Sequence, residues 1–255
     1  MTKLWTAACA ALVLCAASAR ADEITIRADS WCPFTCDPGS ETPGYLIEVA
    51  SHVFEEAGHH VDYQFLPWPR AVSAVASGEF NAIAGGGIAD TPGFVLSQPM
   101  GDVTTTLAVR KGERFDYTGP ESLAGHRLGA VTGVISWGGG IDEYIAEHKD
   151  DPDRVDLTGG EDPYTANLRK LLVGRVDVVV DVAAVLKWLA RGMHATDQIE
   201  FIPVLREPDV FIAFSPANPK SAEYAAILDR GVARMRATGE LQKILDRYGL
   251  EDWQQ

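Results

Sequence analysis

The stretch DSWCPFTCDPGS, residues 29–40, concentrates residue types that could do chemistry. Cys32 and Cys36 stand four positions apart, beside the aromatic residues Trp31 and Phe34. Such a pair could hold a metal, act as a redox couple or form a disulfide. A metal site would need further ligands, and no histidine lies close in sequence. The C-x-x-x-C spacing also differs from the C-x-x-C of thioredoxin-type proteins.

The first 21 residues have the features of an export signal. Lys3 gives a short basic start, an apolar stretch follows, and residues 19–21 form the A-x-A pattern of a cleavage site. The apolar stretch is shorter than a membrane-spanning helix requires. Cys15 raises the question of lipidation, but Leu14 stands where lipoprotein signals have a small residue. The sequence therefore favours soluble release into the periplasm.

Cleavage after residue 21 would leave a mature chain of residues 22–255. Cys32 and Cys36 are its only cysteines. Because the compartment outside the cytoplasm is oxidising, we predict a disulfide between them.

The charge and length of the mature chain limit its function class. Removing the signal takes away two of the 22 basic residues and none of the 36 acidic ones, which leaves a net charge of −16. Such a surface repels nucleic acid and anionic lipid, so a nucleic-acid partner is not expected. The remaining length suits one large domain or two of roughly 100 residues.

Strand-like and helix-like segments alternate along both halves of the chain. The clearest helix has apolar residues at helical spacing, namely Leu46, Val49, Ala50, Val53, Phe54 and Ala57. In the first half we predict strands at 23–28, 60–65 and 81–87 and helices at 46–58 and 69–78. In the second half we predict strands at 126–133, 153–159 and 176–182 and helices at 141–148 and 163–174. This order, followed by two C-terminal helices, predicts an α/β fold of two lobes, each a mostly parallel sheet flanked by helices.

In this order, the segments resemble extracytoplasmic solute-binding proteins of family 3, which include the polar amino-acid-binding proteins of ABC importers. The resemblance covers almost the whole mature chain. Its pieces include W-x-P-F at 31–34, PGYLIEVASHVFEEAG at 43–58, PWPRAVSAVASGEFNAIAGG at 67–86, RLGAVTGVISWGGGIDEYI at 127–145 and NLRKLLVGRVDVVV at 167–180. The order and spacing of these pieces carry the resemblance, because none of them is specific alone.

The resemblance implies the type II periplasmic binding protein fold with a two-strand hinge. Lobe 1 would comprise residues 22–109 plus 208–255, and lobe 2 residues 110–207. The hinge strands would be residues 104–112 and the segment leading into 209–216. A ligand would bind between the lobes, which close around it.

The positions of the motifs suggest which side chains would line such a site. Those in the first lobe are Trp31, Phe34, Tyr45, Trp68, Arg70 and Gly86. Those in the second lobe are Ser136, Trp137 and Asp181. Ser136 and Trp137 stand in a strand-to-helix turn, where free backbone N–H groups favour an anionic group. The alternative is that the tryptophans pack the lobes, the glycine makes a tight turn, and the arginine lies on the surface.

The sequence departs from the family pattern at two ligand-binding positions. The arginine that clamps the α-carboxylate in amino-acid binders falls on Gly93, and the aspartate that holds the α-ammonium falls on Val182. Asp181 stands one residue before the ligand-binding position at 182. Because side chains alternate between the two faces of a strand, the Asp181 side chain would point away from the cleft unless the strand ends or bulges there. Asp177 occupies the mostly structural position of the G-R-x-D motif. Because of these two departures, the sequence does not identify the ligand.

We interpret the protein as a receptor for a small polar or zwitterionic solute, working as a monomer without a metal or cofactor. Its partner would be an ABC permease or a membrane sensor. The alternative is an enzyme of the same fold, such as a cyclohexadienyl dehydratase. No catalytic constellation of residues stands out.

Overall fold

The computed structural model describes residues 21–88, 91–134, 137–160 and 162–254. The export signal predicted at 1–21 therefore falls outside the described residues, except for Ala21. In the described ranges, no helix combines the length and the apolarity needed to cross a bilayer.

The first sheet is built around three parallel strands. These are β1 (Glu23–Ala28), β2 (His60–Phe65) and β3 (Ala82–Gly86), in the order β2-β1-β3. They alternate with helices α1 (Tyr45–Glu56) and α2 (Trp68–Ala76). The predicted apolar stripe of α1 is buried except for Ala57, which follows the helix and is exposed.

The second sheet repeats this plan. Strands β6 (Leu128–Val131), β7 (Val155–Thr158) and β8 (Val178–Val182) are parallel, in the order β7-β6-β8. The helices are α3 (Ile141–His148), α4 (Pro163–Leu172) and α5 (Ala183–Gly192). Helix α5 was not among the predicted elements, because it begins directly after β8 without a turn residue.

Two long strands connect the sheets. Strand β9 (Ile199–Phe214) pairs antiparallel with β3 and with the short β4 (Val95–Leu96) in the first sheet, and with β5 (Gly101–Arg110) in the second. Strand β5 also pairs with β8. The α/β fold with two linked sheets is confirmed, whereas the lobe limits at 109 and 207 stay a prediction.

The chain returns to the first lobe at its C-terminal end. Helices α6 (Ser221–Thr238) and α7 (Glu240–Tyr248) follow β9 and contact α1. Helix α7 also contacts the second lobe, since the rings of Tyr248 and Trp188 on α5 lie 5.7 Å apart. Helices from the N-terminal and the C-terminal parts of the chain thus pack against each other.

Candidate functional site

The loop after β1 is closed by the predicted disulfide between Cys32 and Cys36. Inside the loop, the Trp31 amide donates to the Thr35 carbonyl oxygen at 2.7 Å. The Thr35 hydroxyl donates to the Asp29 carbonyl oxygen at 2.9 Å. These bonds fix the loop at the carboxyl end of β1, the side of a parallel sheet where α/β proteins bind ligands.

We predict that replacing both Cys32 and Cys36 with serine lowers the free energy of unfolding by about 2 kcal/mol, because the cross-link restricts the unfolded chain over a short loop. Urea unfolding of the mature protein and the double variant would measure the difference. Thiol titration of the denatured, unreduced mature protein should find no free thiol. Two free thiols would contradict the prediction.

Two half-buried tryptophans lie over the end of β3. A Cβ atom on Gly85 would come within 3.3 Å of the Trp31 ring, and one on Gly86 within 2.8 Å of the Trp68 ring. Trp31 packs against the large core and Trp68 against a smaller cluster that includes Ile83, so the two indoles flank the strand end. The structure therefore brings Trp31, Trp68 and Gly86 together, and the glycines permit the close approach.

Phe34 and Tyr45 lie in the core, on the inner side of Trp31. The Phe34 ring stacks on Trp31 with centroids 4.2 Å apart and contacts Tyr45 at 5.4 Å. Both side chains are 1% exposed, and the Tyr45 hydroxyl donates to the Met100 carbonyl oxygen at 3.0 Å. In this conformation Phe34 packs against the Trp31 ring from the core side, and neither Phe34 nor Tyr45 exposes surface to a ligand.

Arg70 is an exposed cation on the helix that begins with Trp68. Arg70 lies in the first turn of α2, and its side chain has no hydrogen bond or ion pair with a described residue. Gly93, where the family pattern has an arginine, forms an exposed turn with a φ of 83°. Among the site residues predicted in this lobe, Arg70 is therefore the one cation that could clamp a carboxylate.

The turn before α3 was predicted to bind an anion. Ser136 lies outside the described residues, and Trp137 is buried in the core, where its carbonyl oxygen accepts from the Thr105 hydroxyl at 2.7 Å. The Gly138 amide already donates to a carboxylate oxygen of Asp142 at 2.8 Å. This internal carboxylate reduces the attraction of the helix start for an anionic ligand.

Asp181 lies in the second lobe next to the last residue of β8 and is 2% exposed. One carboxylate oxygen accepts from the Val182 amide at 2.7 Å. Burial raises the pKa of Asp181 to about 7, although this amide bond lowers it. Val182, the position that carries the ligand aspartate in the family pattern, is part of the apolar core. Asp177 instead accepts from the Arg127 amide and pairs with Arg110, which fits its predicted structural role.

Two residues that the sequence did not single out, Tyr164 and Asp29, are linked to Asp181 through the electrostatics of the Tyr164 hydroxyl. Tyr164 is the second residue of α4, and Asp29 directly follows β1. Burial and the nearby charges of Asp181 and Asp29 raise the pKa of the Tyr164 hydroxyl well above its ordinary value. The charges of Asp29 and Asp181 thus both act on the Tyr164 hydroxyl.

Comparison with known proteins identifies the family. A model for bacterial extracellular solute-binding proteins of family 3 matches residues 24–251. This chain belongs to that family. No curated protein matched the sequence.

Several solved structures are similar to this family 3 protein. One comes from work on glutathione import via GshT and the cystine ABC importer TcyBC of Streptococcus mutans, with a TM-score of 0.73, 18% identity and coverage of 90% of this chain and 95% of that one. Another is an ABC transporter substrate-binding protein from Streptococcus pneumoniae with bound histidine, with a TM-score of 0.69, 16% identity and coverage of 91% and 94%. A histidine kinase sensor domain has a TM-score of 0.68, 21% identity and coverage of 90% and 97%. These likenesses confirm the type II periplasmic binding protein fold.

Proposed function

We propose that this family 3 protein is a periplasmic receptor that captures a small polar or zwitterionic solute between its two lobes and delivers it to an ABC importer. The two partly exposed indoles that flank the end of β3, those of Trp31 and Trp68, carry the proposal. The charges of Asp29 and Asp181, which both act on the Tyr164 hydroxyl, add polar groups for a solute.

The surrounding structure supports binding by closure. Trp31 and Trp68 are partly exposed at the β3 end, so their ring faces can stack on a flat or apolar part of a solute. The lobes are joined through β5 and β9, an arrangement that allows one lobe to move against the other.

A sensory role is the second candidate, favoured by the likeness to a histidine kinase sensor domain. Transport and sensing use the same binding step. Uptake of the labelled solute by a strain that lacks the gene separates the two roles. Uptake is lost if the protein serves an importer, and it is retained if the protein serves a sensor.

The binding step can be tested with a thermal-shift screen of the mature protein against amino acids, amines, organic acids and short peptides. A ligand present at 100 times its dissociation constant should stabilise the protein by about 2.7 kcal/mol. A folded protein that no solute of any class stabilises would contradict the proposed function.

For a ligand found in this way, we predict that Trp68→Ala weakens binding about tenfold, because stacking on the exposed indole face is lost. Trp68→Phe should retain most of the affinity, since a smaller aromatic face remains. Isothermal titration measures both variants, and circular dichroism confirms that they fold. If Trp68→Ala and the parent protein bind the ligand with equal affinity, Trp68 does not contact the ligand.

A further inference from the structure

Three consecutive glycines lie between β6 and α3 in the second lobe. Gly138, Gly139 and Gly140 all have a positive φ, between 60° and 83°. They directly precede α3, and Trp137 before them is buried in the core. We call residues 138–140 the glycine turn. The proposed receptor function gives no reason for three such glycines in succession.

Strand β9 has a bulge where it leaves the second sheet. Thr105 of β5 pairs with Leu205 and Thr106 pairs with Pro203, so Val204 is an extra residue in β9. The pairing of β5 with β8 begins at Thr105, and on the N-terminal side of this residue β5 continues along β9. The bulge therefore lies at the base of a two-stranded ribbon, formed by β5 and β9, that leads to the first sheet.

The glycine turn packs directly against this bulge. A Cβ atom on Gly139 would lie 2.6 Å from Val204 Cγ1, and one on Gly138 would lie 2.6 Å from Leu205 Cδ2. Because Val204 is β-branched, its methyl groups stay close to the strand backbone and have little rotational freedom. A side chain at position 139 would therefore push the turn and the ribbon apart.

Hydrogen bonds hold the glycine turn in this place. The Thr105 hydroxyl donates to the Trp137 carbonyl oxygen at 2.7 Å, inside the core. The Tyr117 hydroxyl donates to the Gly139 carbonyl oxygen at 2.6 Å. The first bond ties the turn to the base of the ribbon, and the second ties it to the segment that follows β5. The turn therefore cannot move away from Val204 without breaking bonds to its neighbours.

We propose that the glycine turn positions the ribbon: its contact with the bulge sets the angle at which β5 and β9 leave the second sheet, and with it the orientation of the two lobes. Packed elements of this kind amplify small local shifts into movements of whole domains. The turn also follows β6, at the end of the sheet where α/β proteins bind ligands. A solute that moves the turn would therefore move the ribbon as well. The inference goes beyond the proposed function, since it holds for the ligand-free protein whichever solute binds.

The experiment measures the distance between the lobes of the ligand-free mature protein. Spin labels at exposed positions of α6 and α4, introduced as Glu223→Cys and Arg169→Cys, report this distance by double electron–electron resonance. Labelling without a reductant keeps the disulfide closed. We expect Gly139→Ala to shift the mean distance by about 2 Å or more, because the added methyl group displaces the ribbon. Val204→Ala should broaden the distance distribution, because the ribbon loses its contact with the turn.

The double variant, Gly139→Ala with Val204→Ala, tests the contact itself. The methyl group added on the turn takes the place of Val204 Cγ1, so the mean distance should return to that of the parent protein. Gly125→Ala is the matched control, because Gly125 has a φ of 85° and a Cβ there would meet no atom within 4 Å. This control should lower the melting temperature through backbone strain and leave the distance unchanged.

Two outcomes would overturn the inference. One is that neither Gly139→Ala nor Val204→Ala changes the distance distribution. The other is a shift in Gly139→Ala that the double variant does not reverse. If Gly139→Ala does not fold, an unchanged distribution in Val204→Ala is sufficient to overturn it. Because no ligand enters these measurements, such a result would leave the proposed receptor function standing.

Discussion

Replacing Asp181 with asparagine should stabilise the ligand-free protein at pH 8 by up to about 4 kcal/mol. Burial raises the pKa of this carboxyl from 3.8 to about 7, so the folded state favours its protonated form. A group whose pKa is raised on folding stabilises the fold at low pH and loses that contribution as the pH rises through the folded-state value. Asparagine resembles the protonated form at every pH.

The difference between Asp181→Asn and the parent protein should therefore be near zero below pH 4 and grow until about pH 7. Urea unfolding at several pH values measures it directly. Asp177→Asn gives a control of opposite sign, because hydrogen bonds with the Arg127 amide and Arg110 lower the pKa of Asp177. That variant should be less stable than the parent at pH 8 and approach it in acid. A stability difference for Asp181→Asn that does not change with pH would refute the assigned cause.

Replacing Gly44 with alanine should cost about 3 kcal/mol or more in unfolding free energy. Gly44 precedes α1 with a φ of 106°, which L residues rarely adopt. An added Cβ would lie 2.4 Å from the Phe34 carbonyl oxygen and 2.7 Å from the Thr35 Cα, and these backbone atoms cannot move aside alone. The start of α1 is also hydrogen-bonded to the loop, through the Tyr45 amide and the Pro33 carbonyl oxygen.

Gly58→Ala is the matched control for this substitution. Gly58 has a φ of 84°, and a Cβ there would meet no atom within 4 Å. It should cost only about 1 kcal/mol, the strain of the left-handed conformation alone. If urea unfolding shows that both variants lose the same free energy of unfolding, then backbone strain accounts for the whole effect. Contact of the added Cβ with the loop would then contribute nothing. Gly44→Ala should also weaken ligand binding, since the displaced loop carries Trp31.

The first lobe shows what the sequence can predict. The apolar stripe of α1 follows from the spacing of Leu46, Val49 and Val53, and it is buried as expected. Such periodicity depends only on local geometry, so it does not require knowledge of the partner surfaces. The disulfide between Cys32 and Cys36 was predictable on other grounds, because the two remaining cysteines, Cys9 and Cys15, lie in the predicted export signal.

Strand β9 shows where local patterns fail. Pro203 lies within it, and proline argues against a paired strand. The structure places Pro203 at a register shift opposite Thr105 and Thr106, where regular pairing is interrupted. A bulge of this kind depends on the neighbouring strand, which the local sequence does not reveal.

The candidate site was partly predictable. Trp31, Trp68 and Gly86 were expected at strand ends, and the structure brings them together. The influence of the Asp29 and Asp181 charges on Tyr164 was not expected, because the three residues lie on separate parts of the sequence. Residues so far apart in sequence leave no periodic signal, although each stands next to the end of a strand or the start of a helix.

Strand β9 is hydrogen-bonded in both sheets, and this has a kinetic consequence. If the lobes separate by bending near the register shifts between β5 and β9, both sheets can stay intact. Hinge motions of this kind take microseconds to milliseconds. The residence time of a solute would therefore depend on the strength of its own contacts, and a loosely held solute would leave as fast as the strands bend.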